Sequence, residues 1–172
     1  MRGPTSLPVP KHKEIRALPF SADQMYRLVT DVARYTEFLP WVAGVRVRSD
    51  TETEMVADLI VGFKAIKEHF SSKVIKQRPS HVHVDYIDGP LKHLSNDWLF
   101  QDNGDGSCTV LFTVDFAFKN RVFESLAGQY FEKALRKMAD AFVARAETLY
   151  GASLNEEGAS SGISSSSATS AA

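Results

Sequence analysis

Apolar and polar residues alternate along most of this chain, and the alternation gives way to helical spacing three times. The clearest alternation runs from Cys108 to Phe118. Val110, Phe112, Val114, Phe116 and Phe118 face one side, and Thr109, Leu111, Thr113, Asp115 and Ala117 face the other. A period of two is the mark of a strand with one buried face, here the Val/Phe set. The same reading predicts strands over Lys11–Leu18, Val42–Arg48, Glu54–Val61, Ile66–Lys76, His81–Asp88 and Ser95–Gln101. Their inward sets are Ile66, Glu68, Phe70, Ser72 and Val74, then Val82, Val84 and Tyr86, then Asn96, Trp98 and Phe100. Arg46, Arg48, Lys67, His69, Lys73, His81 and His83 collect on the outward faces. Turn-forming residues separate the runs: Ser49-Asp50, Gln77-Arg78-Pro79-Ser80, Asp88-Gly89-Pro90 and Asn103-Gly104-Asp105-Gly106. Short turns between successive strands imply antiparallel pairing.

The helical stretches are two short and one long. Ser21 followed by Gln24 is a capping-box pattern, after which Met25, Leu28 and Val29 give a short helix. Asp31 is placed to cap a second short helix reaching Phe38, which Pro40 stops. From Arg121 to Tyr150, Phe123, Leu126, Tyr130, Phe131, Ala134, Met138, Phe142 and Leu149 recur at three- and four-residue steps. They predict one long amphipathic helix, with Glu132 and Arg136 set for an i,i+4 pair on the polar side. A lone long helix after many strands must bury its stripe against their sheet. The expected fold is therefore α+β: a curved antiparallel sheet of about seven strands around a C-terminal helix, with two short helices after the first strand.

Composition narrows the function. At 172 residues, the chain is long enough for one domain with a real core. A formal net charge of -1 argues against a DNA-binding protein. The lone Cys108 excludes an internal disulfide and a multi-cysteine metal site. No apolar run approaches the roughly 18 residues that span a bilayer. The Pro-containing first ten residues lack the apolar segment of a signal peptide. A cytoplasmic protein, able to touch the inner face of a membrane peripherally, is the expectation. Residues 1–10 and the Ser/Ala-rich 152–172 read as disordered, leaving 11–151 as the folded domain.

Several short motifs, in order, resemble the coenzyme Q-binding, START-like proteins of helix-grip fold, a family that includes the bacterial ribosome-association toxin. They are Phe38-Leu39-Pro40-Trp41, Val61-Gly62-Phe63, Glu68-His69-Phe70, Asp88-Gly89-Pro90-Leu91-Lys92-His93-Leu94 and Phe116-Ala117-Phe118. The resemblance implies a non-enzymatic protein that binds a polyprenyl quinone as ligand rather than cofactor, and that supports respiration or ubiquinone biosynthesis. The toxin branch implies binding to the large ribosomal subunit, for which Arg46, Arg48, Lys67, Lys73, Lys76 and Arg78 would have to form a basic face. A cyclase-type enzyme is the third reading.

Candidate ligand contacts follow from the pattern. Glu68 shares the inner face with Phe70. A carboxylate buried there would have to be protonated or paired, and could anchor a ligand headgroup. A bulge or a rim position is the bland alternative. Phe38, Pro40 and Trp41 either line a pocket mouth or plug one end of the sheet. Leu91 and Leu94 sit in the expected loop between the strands ending at Asp88 and beginning at Ser95. Phe63, Tyr86, Trp98, Phe116, Phe131 and Met138 complete the inner lining. His81 and His83 share a strand face, but no third ligand is evident beyond a weak Asp85, so no metal is expected. No Ser-His-Asp set or Gly-rich phosphate loop occurs.

Overall fold

The computed structural model describes the backbone of residues 11–63 and 66–160, and their side chains apart from 11, 63, 66, 121–129 and 152–160. Seven strands form one antiparallel sheet: β1 (Lys11–Leu18), β2 (Val42–Asp50), β3 (Glu54–Phe63), β4 (Ile66–Gln77), β5 (His81–Asp88), β6 (Leu91–Asp102) and β7 (Cys108–Phe118). Their order is β1-β7-β6-β5-β4-β3-β2. From β2 to β7 each strand pairs with the next in sequence, as the short turns require. The chain leaves β1 through helix α1 (Ala22–Thr30) and a 3-10 helix (Val32–Glu37), and the described residues end in the long helix α2 (Arg121–Ser160).

Cross-strand register fixes which residues share the concave face. Phe112 sits between Trp98 on β6 and Glu14 on β1, and Val114 between Asn96 and His12. Val82 continues the first row and Val84 the second, and Val74 and Met55 carry the second across β4 and β3. Along β7 every second residue, from Cys108 to Phe118, is buried. Burying each large apolar side chain of this face stabilises the fold by about 1.5–3 kcal/mol. Burial also pushes the Cys108 thiol up to about 11, so this residue is inert core.

α1 begins as its sequence specifies. The Ser21 hydroxyl accepts from the Gln24 backbone N–H, and the Gln24 side chain accepts from that of Ser21. Asp31 does not cap the next turn; its carboxylate meets Arg34 instead, 3.3 Å away. That segment is a 3-10 helix, which then leads to Trp41, held at φ 70°.

Two expectations about α2 change. The helix continues through Gly151 to Ser160, past the boundary expected from composition. Its buried side is also rotated from the predicted stripe. Leu135, Phe142 and Ala146 are buried, Phe131 and Met138 half-buried, and Tyr130 and Leu149 exposed. A stripe read from residue types cannot distinguish Tyr130 from Phe131, whereas a 100° turn per residue places them differently. The Phe123 and Leu126 side chains lie outside the described residues. Glu132 and Arg136 do pair, at 3.2 Å.

The expected loop from Asp88 to Leu94 is mostly strand, because β6 begins at Leu91. Only Gly89 and Pro90 form the turn, and Gly89 carries φ +148°. A Cβ there would lie 2.7 Å from the His69 carbonyl oxygen and 2.7 Å from the Tyr86 hydroxyl. Leu91 N–H donates to that same hydroxyl at 3.0 Å, so a side chain at position 89 would force apart the start of β6 and Tyr86. Gly89→Ala is expected to lower unfolding free energy by about 1–3 kcal/mol in urea titration.

Candidate ligand-binding site

The space between the concave sheet face and α2 is lined mainly by aromatic rings. Trp98 lies at its floor, 4.5 Å from the Phe112 ring and 5.0 Å from Phe142 on α2. Its indole N–H donates to the Asn96 side-chain oxygen at 3.0 Å, so its polar atom is satisfied. At one end Phe38 stands 5.3 Å from Phe142, with the Arg145 guanidinium 5.2 Å from the centre of the Phe38 ring. Trp41 lies under the Lys137 ammonium at 6.0 Å. At the other end Phe116 packs on Phe131 at 4.0 Å, and Phe70 meets Tyr86 edge-on at 6.3 Å. The structure thus joins Phe38 and Trp98 through Phe142, and pairs Phe116 with Phe131 and Phe70 with Tyr86. Pro40, Leu94 and Met138 are half-buried, and the Phe63 side chain lies outside the described residues.

Glu68 differs from its expectation. It keeps the phase of Phe70 and pairs across from Val61, but it is exposed. It sits at the rim, near enough to Tyr86 for its charge to help raise that phenol, chiefly shifted by burial. A buried carboxylate requires a partner, whereas an exposed one does not, so the desolvation argument for Glu68 fails.

Charged and titratable groups enter the space from β1. His12, Glu14 and Arg16 share the face of Val114, Phe112 and Val110, their register partners on β7. His12 Nε2 and Glu14 Oε2 are buried, lack hydrogen-bond partners and stand 3.8 Å apart. Arg16 donates to Asp140 on α2 at 2.7 Å and, weakly, to Glu14 Oε1 at 3.4 Å. An unpartnered buried polar atom costs about 1–3 kcal/mol, so this pair is poised for a partner. Beside it lies an apolar cavity of about 20 Å³, walled by Glu14, Trp98, Phe112 and Phe142. That volume suits one water, not a lipid. A larger, open depression of about 410 Å³ lies at the rim, where Tyr86, Leu91 and Leu94 meet Lys92 and Lys119. It is half polar and wide open, so the rim suits entry or a headgroup rather than burial of an apolar chain. Sequence reasoning misses His12, Glu14 and Arg16 because the one apolar residue of Lys-His-Lys-Glu-Ile-Arg, Ile15, is exposed on the opposite face; Leu18, two residues on from Arg16, is the available sign of their phase.

Residues 18–143 match the family described as polyketide cyclase/dehydrase and lipid transport. The chain belongs to that family. The Escherichia coli K12 protein named ribosome association toxin RatA is 32% identical over 144 residues, covering 84% of this chain and 91% of that protein. The Xenopus laevis mitochondrial coenzyme Q-binding protein COQ10 homolog B is 33% identical over 145 residues, covering 82% of this chain and 59% of that one. A START superfamily protein of Mycobacterium smegmatis superposes with a TM-score of 0.67 at 17% identity, over 81% of this chain and 98% of that one, which shows the shared helix-grip fold.

On the convex face, His81, His83 and Asp97 gather. Both His81 Nε2 and His83 Nδ1 lie 2.8 Å from Asp97 Oδ1, and His83 Nε2 lies 2.9 Å from Asp85 Oδ1. Asp97 is the third group that the sequence did not reveal. It becomes a neighbour only through the β5–β6 register, which sets it opposite His83. No helix among the described residues is long and apolar enough to cross a membrane.

The unpartnered pair on β1 makes a direct prediction. Glu14→Leu is expected to keep or raise the melting temperature, since it removes a buried carboxylate whose Oε2 has no hydrogen-bond partner and whose Oε1 has only a long one, and leaves Arg16 bonded to Asp140. A fall of several degrees in a thermal melt would show that Glu14 is instead a structural partner.

Proposed function

We propose that this protein binds a polyprenyl quinone without chemically altering it, holding the isoprenoid chain between the sheet and α2 and handing it on for respiration or ubiquinone biosynthesis. The observation that carries this reading is the aromatic concave face interrupted by two buried polar atoms without hydrogen-bond partners, His12 Nε2 and Glu14 Oε2, which face each other at 3.8 Å. A quinone matches it: a long apolar chain with a few carbonyl or methoxy acceptors, or hydroxyl donors when reduced. Sequestration would be driven by about 25 cal/mol per Å² of apolar surface removed from water. Likeness to a protein named for coenzyme Q binding supports the ligand class. The cavity of about 20 Å³ implies that α2 must move from the sheet for the chain to enter. The Phe38–Trp41 segment at one end, and Lys92 and Lys119 at the rim depression, suit peripheral contact with an inner membrane surface during loading.

Ribosome binding is the second reading, favoured by likeness to proteins named as ribosome association toxins. Electrostatics weighs against a simple form of it. Of the six basic residues expected to make an RNA-binding face, four are ion-paired: Arg48 with Asp58, Lys73 with Glu54, Lys76 with Asp50 and Arg78 with Asp23. Asp58 itself is buried. Burial would raise its carboxyl, but bonds from Ser71 and Arg48 and the nearby charge hold it low, so Arg48 is neutralised. A face whose charges are already paired releases few counterions on binding phosphate. A cyclase reading draws on the family description and the fold alone.

Trp98 is placed to report binding. Ubiquinone is expected to quench its fluorescence saturably, and Glu14→Leu to weaken the affinity by about 1–3 kcal/mol, the scale of a lost buried hydrogen bond. Quenching that never saturates would contradict the proposal. Glu68→Leu tests the rim alternative: an unchanged affinity removes Glu68 as headgroup anchor. For the ribosome reading, co-sedimentation of wild type with large ribosomal subunits should be lost on reversing Arg46, Arg48 and Lys73 to Glu. No sedimentation of wild type at low salt would end that reading.

A further inference from the structure

We propose that the convex face carries a site for one divalent transition-metal ion of the zinc class, bound by His81 Nε2, His83 Nδ1 and Asp97 Oδ1. These three atoms lie within 4.8 Å of one another. His81 and His83 are two residues apart on β5, so strand alternation points both away from the concave face, and Asp97 faces them from β6. The ligand space is on the opposite side of the sheet, where the intervening Val82 is buried beside Trp98.

The donor set selects the ion. Two imidazoles with one carboxylate suit zinc, nickel, copper or cobalt, whereas calcium and magnesium require mostly oxygen ligands. Metal–ligand bonds of about 2.0–2.2 Å would spread the donors to roughly 3.3 Å, so the present 2.8 Å contacts need open only slightly. Asp85 supplies what an unspecialised histidine pair lacks. Its carboxylate lies 2.9 Å from His83 Nε2, where it accepts that nitrogen's proton in a hydrogen bond and leaves the Nδ1 lone pair directed at the ion. The side chains are a quarter to a third exposed at His83, His81 and Asp97, which leaves a path for the ion and a position for water. Bound metal would cross-link β5 to β6. The ion takes the neutral imidazole lone pairs and the Asp97 carboxylate, so any proton on a donor nitrogen leaves to solvent as it binds.

The test uses the full chain, stripped with chelator, titrated with zinc by calorimetry and with cobalt by visible absorption. One zinc ion per chain is expected, with cobalt bands of the intensity that four- or five-coordinate sites give. The paired substitution His81→Ala and His83→Ala should abolish both signals, and Asp85→Asn should weaken zinc by about 10–100-fold by loosening the tautomer. Asp97→Asn, nearly isosteric, guards against a folding defect and should also lose cobalt absorption while keeping the melting temperature of the metal-free protein. His93→Asn, at the separate His93–Asp115 pair, should change nothing. Absence of zinc binding at sub-millimolar concentration overturns the proposal. So does binding that survives the paired substitution.

Discussion

Phe142 is the point at which helix and sheet are locked together. Its ring stands 5.0 Å from Trp98, 5.3 Å from Phe38 and 5.4 Å from Tyr35, so it touches the sheet, the segment before β2 and the 3-10 helix at once. Truncating so buried a ring typically costs 3–5 kcal/mol, a large part of the stability of a domain this size. Two ion pairs flank it on α2: Asp140 with Arg16 of β1 and Arg145 with Glu37 of the 3-10 helix, both at 2.7 Å. Exposed pairs of this kind contribute about 0–1 kcal/mol each. They set the rotation and position of the helix more than they hold it down. The apolar contact fixes that α2 lies on the sheet; the ion pairs fix where.

That arrangement sets a competition at the proposed site. The concave face must be covered, because a sheet face carrying Trp98, Phe112, Val114 and Phe116 would otherwise be exposed to water. α2 covers it, leaving a cavity of about 20 Å³. A bound isoprenoid chain would cover much of the same surface, so lost helix packing is offset by ligand packing, and opening need not expose the full apolar area. The His12–Glu14 pair works in the opposite direction. His12 Nε2 and Glu14 Oε2 lack hydrogen-bond partners, and a headgroup with both donor and acceptor atoms would supply them. Apolar area then supplies affinity, and the polar pair supplies orientation and discrimination against plain hydrocarbon.

Much of this fold was legible in the sequence, for identifiable reasons. β7 was readable because its inner face is Val and Phe throughout and its outer face is not, and α1 because Ser21 and Gln24 form a complete capping box. For Glu68 alternation gives the correct phase but not the depth, since it fixes the face of a residue and says nothing about its distance from the sheet's end. The apolar spacing points to Tyr130 and Leu149 in the buried stripe, whereas Leu135 and Ala146 occupy it, because residue type cannot fix helix rotation against a sheet. The β1 row and Asp97 were missed for a common reason. Each becomes significant only through its cross-strand neighbour, Phe112 for Glu14 and His83 for Asp97, and pairing register between distant strands is a tertiary property.

Whether the space under α2 holds a polyprenyl quinone is tested most directly by mass spectrometry of the lipids carried by the protein when purified gently from its native host. Native spectra of the intact complex, followed by organic extraction, would identify both stoichiometry and chemistry. A polyprenyl quinone present near one per chain, and depleted in a Glu14→Leu variant of equal stability, is the predicted result. An empty protein that also takes up no added quinone, or one carrying a different lipid class in its place, would contradict it.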